Sequence, residues 1–143
     1  VEAVMSKTYI CSFLGVLGSI IAGFFGGWDA GMVTLITFMC IDYVSGVIVA
    51  GVFKKSKKSK QGALSSKVGW IGLCKKVMTM LIVVVAYRLD LLINTDYIRD
   101  AVVIGFCVNE LISIIENAGL MGIPLPHVLY DAIEVLKGEK NNG

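Results

Sequence analysis

Long apolar runs, broken by short polar turns, dominate the chain. Thr8 to Trp28 (TYICSFLGVLGSIIAGFFGGW) carries no charge. At about 1.5 Å per residue, roughly 20 helical residues cross a hydrocarbon core of about 30 Å, so this run predicts a membrane-crossing helix over about 8–28. WDAG (Trp28–Gly31) reads as a tight turn, with Trp28 suited to an interface and Asp29 to water. The pattern predicts three further runs over 30–53, 77–94 and 97–120, and a short amphipathic helix over 126–137. That last helix carries an apolar stripe of Leu129, Ala132, Ile133 and Leu136. Pro126 suits its first turn and Gly138 its C-terminal cap. The closing EKNNG reads as disordered.

The predicted fold is an all-α membrane protein, one domain over residues 1–143. It has three to four transmembrane helices, a C-terminal amphipathic helix and a homo-oligomeric assembly. The count stays open because the fourth run carries a polar row. Gly105, Asn109, Ser113 and Asn117 recur every fourth residue, flanked by Glu110 and Glu116. Such a run either crosses the membrane or lies at its surface or along a lumen.

Composition agrees with a lipid solvent. Hydrophobic residues make up 56% and charged residues 17% of the 143, and a fold this small cannot bury that much apolar surface. Of thirteen Lys and Arg, eight fall between Lys54 and Lys76. Lys54, Lys55, Lys57, Lys58, Lys60, Lys67, Lys75 and Lys76 predict a basic cytoplasmic loop over 54–76, facing anionic headgroups rather than nucleic acid. The N-terminus is then cytoplasmic as well. Within 61–76, Ser65 or Ser66 is a candidate helix cap, and Trp70 marks an interfacial segment leading into the third run.

Cys11, Cys40, Cys74 and Cys107 stand far apart and form no C-x-x-C pair, so they read as small packing residues rather than a metal or disulfide framework. The lone His127 has no evident ligand partner. No nucleophile–histidine–acid set, phosphate loop or metal spacing is present, and neither an enzymatic role nor a cofactor is expected.

Two features carry candidate function. Gly15, Ser19, Gly23 and Gly27 repeat every fourth residue, as do Gly18, Ala22 and Gly26, and small-residue rows allow close helix contact in lipid. Gly46 and Ala50 share a face with Asp42 in the second run. The other feature is charge at depth. Asp42, Arg88 and Glu110 each lie about 11–12 residues, or about 16–18 Å, inside their runs. Three such groups facing lipid would cost on the order of 10 kcal/mol, so they are expected to face one another, a partner subunit or water. Arg88 pairing with Asp42 or Glu110 merely to lock the bundle, and a carboxylate lining a lumen with the polar row, are both open. Four helices of one chain cannot enclose a wide pore, so such a lumen would lie between subunits.

IDYVSGVIVA (Ile41–Ala50), LSSKVGWIGLCKK (Leu64–Lys76), NELISIIENAGLMGIPLP (Asn109–Pro126) and the closing helix resemble, in order and spacing, the toxin-secretion/phage-lysis holin family. The first helix is similar only in being apolar, and KKSKKSKQG is a longer basic insert than the family pattern. The resemblance implies a small inner-membrane protein of a bacterium or prophage that oligomerises into a lesion. The lesion releases an endolysin or assists export of a large toxin, without catalysis. A small ion channel or ion-coupled transporter using the midplane charges is the alternative. In either case Asp42, Arg88 and Glu110 are expected to form a midplane polar cluster.

Overall fold

The computed structural model describes residues 1–138; the EKNNG tail lies outside them. Every regular element among the described residues is helical. In order they are α1 (Glu2–Phe24), α2 (Ala30–Ile48), α3 (Ser66–Ile93), α4 (Ile98–Leu120) and α5 (His127–Lys137). α2 runs on through a π-helical turn, Val49–Phe53. Three helices are long and apolar enough to cross a membrane: Glu2–Phe24, Ala30–Phe53 and Ser66–Ile93.

Three boundaries differ from expectation. α1 runs from Glu2 to Phe24 rather than from Thr8 to Trp28, so the turn is residues 25–29. α3 starts at Ser66 with Ser65 at its N-cap position, one of the two candidate caps, so the stretch read as the end of a basic loop is its first three turns. Lys67, Lys75 and Lys76 are therefore helical, and the loop proper is residues 54–65. Nothing in SKVGWIGLCKK stops a helix: it lacks proline, and its two glycines cost only about 1 kcal/mol each.

The bundle is built on α2, α3 and α4. Met32, Leu35 and Met39 of α2, Val83 of α3, and Val103 and Cys107 of α4 form its core. A second cluster joins Val108 and Ile115 of α4 to Ile133 of α5. Of the predicted α5 stripe only Ile133 is buried, while Leu129 and Leu136 stay exposed. α1 buries none of its residues. Cys107 packs in the core, whereas Cys11, Cys40 and Cys74 are exposed on outer helix faces, contrary to a packing role within the chain.

Caps set the helix junctions. Asp29 accepts from Met32 N–H at 3.0 Å and starts α2. Asn94 closes α3 in the left-handed region, φ 57°. α4 is capped from a distance. Asp90, at the end of α3, accepts from the N–H groups of Ile98 at 3.0 Å and Arg99 at 2.8 Å, and from the Thr95 hydroxyl at 2.6 Å. This takes the place of a local N-cap side chain, and it ties the α3–α4 turn because the first N–H groups of a helix need an acceptor.

Candidate functional site

Each buried charge lies on a core stripe of its helix. Asp42 continues Met32, Leu35 and Met39 at steps of three and four. Lys76 stands seven residues before buried Val83, and Asp90 seven after it. Arg99, Val103, Cys107, Glu110 and Asn117 occupy one side of α4. Packing α2, α3 and α4 through these stripes brings the polar members together.

At the centre is Lys76. Its Nζ donates to Asp42 Oδ2 at 2.7 Å and to Glu110 Oε2 at 2.6 Å. The side chains of Lys76, Asp42 and Glu110 are 15%, 9% and 9% exposed, so the three ions are largely withdrawn from the surroundings. Asn117 extends the cluster: its Nδ2 donates to Asp42 Oδ1 at 3.2 Å, to the Asp42 carbonyl at 3.3 Å and to Ser45 Oγ at 2.8 Å. No buried side-chain nitrogen or oxygen among the described residues lacks a partner. Two carboxylates share one ammonium, so with all three ionised the group carries a net charge of −1.

A cavity of about 440 Å³ opens beside the cluster, between α2, α3, α4 and the 54–65 loop. Asn109, Glu110, Ser113, Glu116 and Asn117 all line it, so the row read from the sequence faces one space, apart from its first member, Gly105, which lies outside the lining. Glu110 and Asn117 are buried, Ser113 is half-buried, and Asn109 and Glu116 are exposed. Gly46, Lys75 and Lys76 also line it, as do Lys57 and Lys58 of the loop. Lys54, Lys55 and Lys60 are exposed, and so is Lys67 in the first turn of α3.

Arg88 departs from expectation. It is exposed and forms no salt bridge among the described residues. The cation of the Asp42–Glu110 cluster is Lys76 instead. Two lysines before an apolar run look like its boundary, which places Lys76 with the loop on sequence alone. The readable signal was its spacing of seven to Val83 and fourteen to Asp90, which puts it on the buried stripe of α3. Gly15, Ser19 and Gly23 lie on the exposed α1. A Cβ added at Gly15 or Gly23 would meet nothing within 4 Å, so the row makes no close contact inside the chain there.

Sequence reasoning also passed over Arg99. Its buried guanidinium joins the α1–α2 turn to the start of α4. Nε donates to Phe25 O at 2.8 Å and Nη2 to Gly27 O at 3.3 Å, and Asp29 takes Nη1 and Nη2. Asp100 Oδ1 accepts at 2.9 Å. Hydrogen bonds from Arg99 outweigh the partial burial of Asp29 and hold its carboxyl below the usual carboxylate range.

The bacteriophage holin family model matches residues 19–138. An uncharacterized protein of Halalkalibacterium halodurans is 38% identical over 132 residues, covering 88% of this chain and 92% of that one. An uncharacterized 14.9 kDa protein in the nagH 3′ region of Clostridium perfringens is 36% identical over 126 residues, 87% and 89% of the two chains. A probable holin of Bacillus phage phi105 is 30% identical over 102 residues, 71% of this chain and 70% of that one. No solved structure matches. The family match takes in α2, α3, α4 and α5 whole, and with them every residue of the Asp42–Lys76–Glu110 cluster; this chain belongs to the bacteriophage holin family.

Proposed function

We propose that the chain is a working holin: a multi-pass protein of the bacterial cytoplasmic membrane that assembles with copies of itself into a lesion. The lesion lets an endolysin or a large toxin pass. The 54–65 loop and the N-terminus lie on the cytoplasmic side, where lysines meet anionic headgroups.

The observation that carries this reading is the cluster's height. Asp42 is about 12 residues from the start of α2, Lys76 about 10 from the start of α3 and Glu110 about 12 from the start of α4, so each sits about 15–18 Å along its helix. That is mid-depth in a bilayer of about 30 Å, where ions are costly unless paired or wet. α4 falls short of a membrane span on its own composition, yet α2 and α3 cover its charged face. Crossing as part of the bundle gives four spans and puts α5 on the loop's side. Asn109, Ser113 and Glu116, which are less buried than Glu110 and Asn117, then supply the polar lining that neighbouring copies would share.

Size-graded release from liposomes holding the purified protein tests the reading. Escape of protein-sized dextrans is the expected result. Release of ions alone would reject the lesion and favour an ion channel or ion-coupled transporter, for which the same cavity would be the conducting path.

A further inference from the structure

Arg88 is a cation that the bundle leaves unpaired, and it opens onto a second feature. Ile20, Gly23 and Phe24 of α1 and Tyr87 and Arg88 of α3 border an open crevice of about 230 Å³. Gly23 supplies no side chain to fill it. Tyr87 is held in place from the other side, because its ring lies where a Cβ on Gly26 would come within 2.7 Å. The wall is therefore mixed: Ile20, Phe24 and the Tyr87 ring give its apolar part, and a guanidinium and a phenol give a polar part of similar extent.

Arg88 shares its face of α3 with Leu81, Val85 and Leu92, all exposed to whatever surrounds the bundle. It stands five residues before the end of α3 at Ile93, about 7–8 Å along the axis. An unpaired guanidinium at that depth is costly in hydrocarbon, and its long stem lets the head rise toward the interface. Carboxylates at this end of the bundle do not meet it. Asp29 and Asp100 are engaged by Arg99, and Asp90 caps α4. Asp96 forms no salt bridge among the described residues.

We infer that this crevice seats one membrane phospholipid, its phosphate on the Arg88 guanidinium and the upper part of an acyl chain against Ile20 and Phe24. The guanidinium fork matches two phosphate oxygens, and a tyrosine with one apolar and one polar end suits the headgroup level. The site lies at the opposite end of the bundle from the 54–65 loop, so it belongs to the other leaflet. It rests on the membrane-crossing part of the proposed function and not on lesion formation.

The test is native mass spectrometry of the full chain in detergent, titrated with dimyristoyl phosphatidylglycerol. Wild type should retain one more lipid per protomer than Arg88→Gln, with affinity lower by about tenfold in the variant, the scale of one lost charged hydrogen-bonding partner. Arg88→Lys should fall between them. Gly23→Leu, which fills the crevice and leaves Arg88 in place, should also lose the lipid. Dimyristoylglycerol, which lacks the phosphate, should be held equally by wild type and Arg88→Gln. Equal retention of phosphatidylglycerol by both would overturn the site. So would inorganic phosphate competing at similar concentration, which would mean a plain anion site. A change of oligomer size in Arg88→Gln with lipid retention unaltered would assign Arg88 to a carboxylate on another copy. Liposome leakage is read separately, so failure of the lipid site and failure of the lesion are distinguishable.

Discussion

Lys76 Nζ lies 2.7 Å from Asp42 Oδ2, across 34 positions of sequence, and 2.6 Å from Glu110 Oε2, 34 positions further on. One ammonium thereby links the middles of α2, α3 and α4. Breaking a buried pair by removing one partner leaves an uncompensated charge, at about 3–5 kcal/mol. The loss should depend on which charge goes. Lys76→Met strands two carboxylates beside each other and should be the most destabilising. Glu110→Gln leaves a neutral Asp42–Lys76 pair and should cost least. Unfolding of the three single variants in micelles, followed by circular dichroism, checks the order Lys76→Met above Asp42→Asn above Glu110→Gln. Equal losses would contradict a shared lysine.

Asn117 serves Asp42 and Ser45 from one amide nitrogen. Asn117→Leu removes that donor and should cost about 1–3 kcal/mol, the scale of a buried acceptor left unsatisfied. Asn117→Gln is no rescue, since the longer side chain displaces the donor. Thermal unfolding of both variants measures this.

Arg99 is the tie between the α1–α2 turn and α4. Arg99→Lys keeps the charge but lacks the fork that reaches two carbonyls and Asp29 together. Both Arg99→Lys and Arg99→Met should loosen residues 25–29, with a loss of about 1.5–3 kcal/mol for the methionine. Limited proteolysis at that turn, faster in either variant than in wild type, is the expected result.

The same contact carries a pH dependence. Arg99 holds the Asp29 carboxyl below its ordinary value, so the folded state binds that proton less readily than the unfolded chain. The stabilisation is complete above the ordinary carboxylate pKa of about 4 and is lost as pH falls below it. Proteolysis at residues 25–29 should stay flat from neutral pH to about 5 and rise below about 4. An acid-active protease is required. Asp29→Asn should abolish this step.

Glycines of α1 and of the turn after it divide into two kinds. Gly26 has φ +78°, and an added Cβ would press into the Tyr87 ring at 2.7 Å, so Gly26→Ala should destabilise the chain, by about 1–3 kcal/mol from backbone strain alone. Gly15→Leu meets nothing within the chain and should leave protomer stability unchanged. A shift in oligomer size for Gly15→Leu, read by cross-linking in liposomes, would place the Gly15–Ser19–Gly23 row between copies. No shift would leave it facing lipid.

Much of the helical plan is local and was legible in the chain. Apolar runs of roughly span length fix the number and order of helices, because hydrophobic length and period are properties of contiguous residues. The inward turn of Asp42 and Glu110 was legible too, since exposure to lipid is too costly for a charge at that depth. The period of four likewise put Asn109, Ser113 and Asn117 on one side of α4, and they line one cavity.

Partner choice was decided by the tertiary structure. Depth alone could not separate Arg88 from Lys76, because pairing depends on which face each helix turns inward and on where α3 begins. Only the packing of α3 against α2 and α4 places Lys76 at Asp42 and leaves Arg88 outside. The same holds for Asp90 capping α4 and for Arg99 holding the α1–α2 turn. Hydropathy reads the solvent each helix wants, whereas a hydrogen bond is a matter of a few ångströms between residues distant in the chain, and no local pattern encodes that.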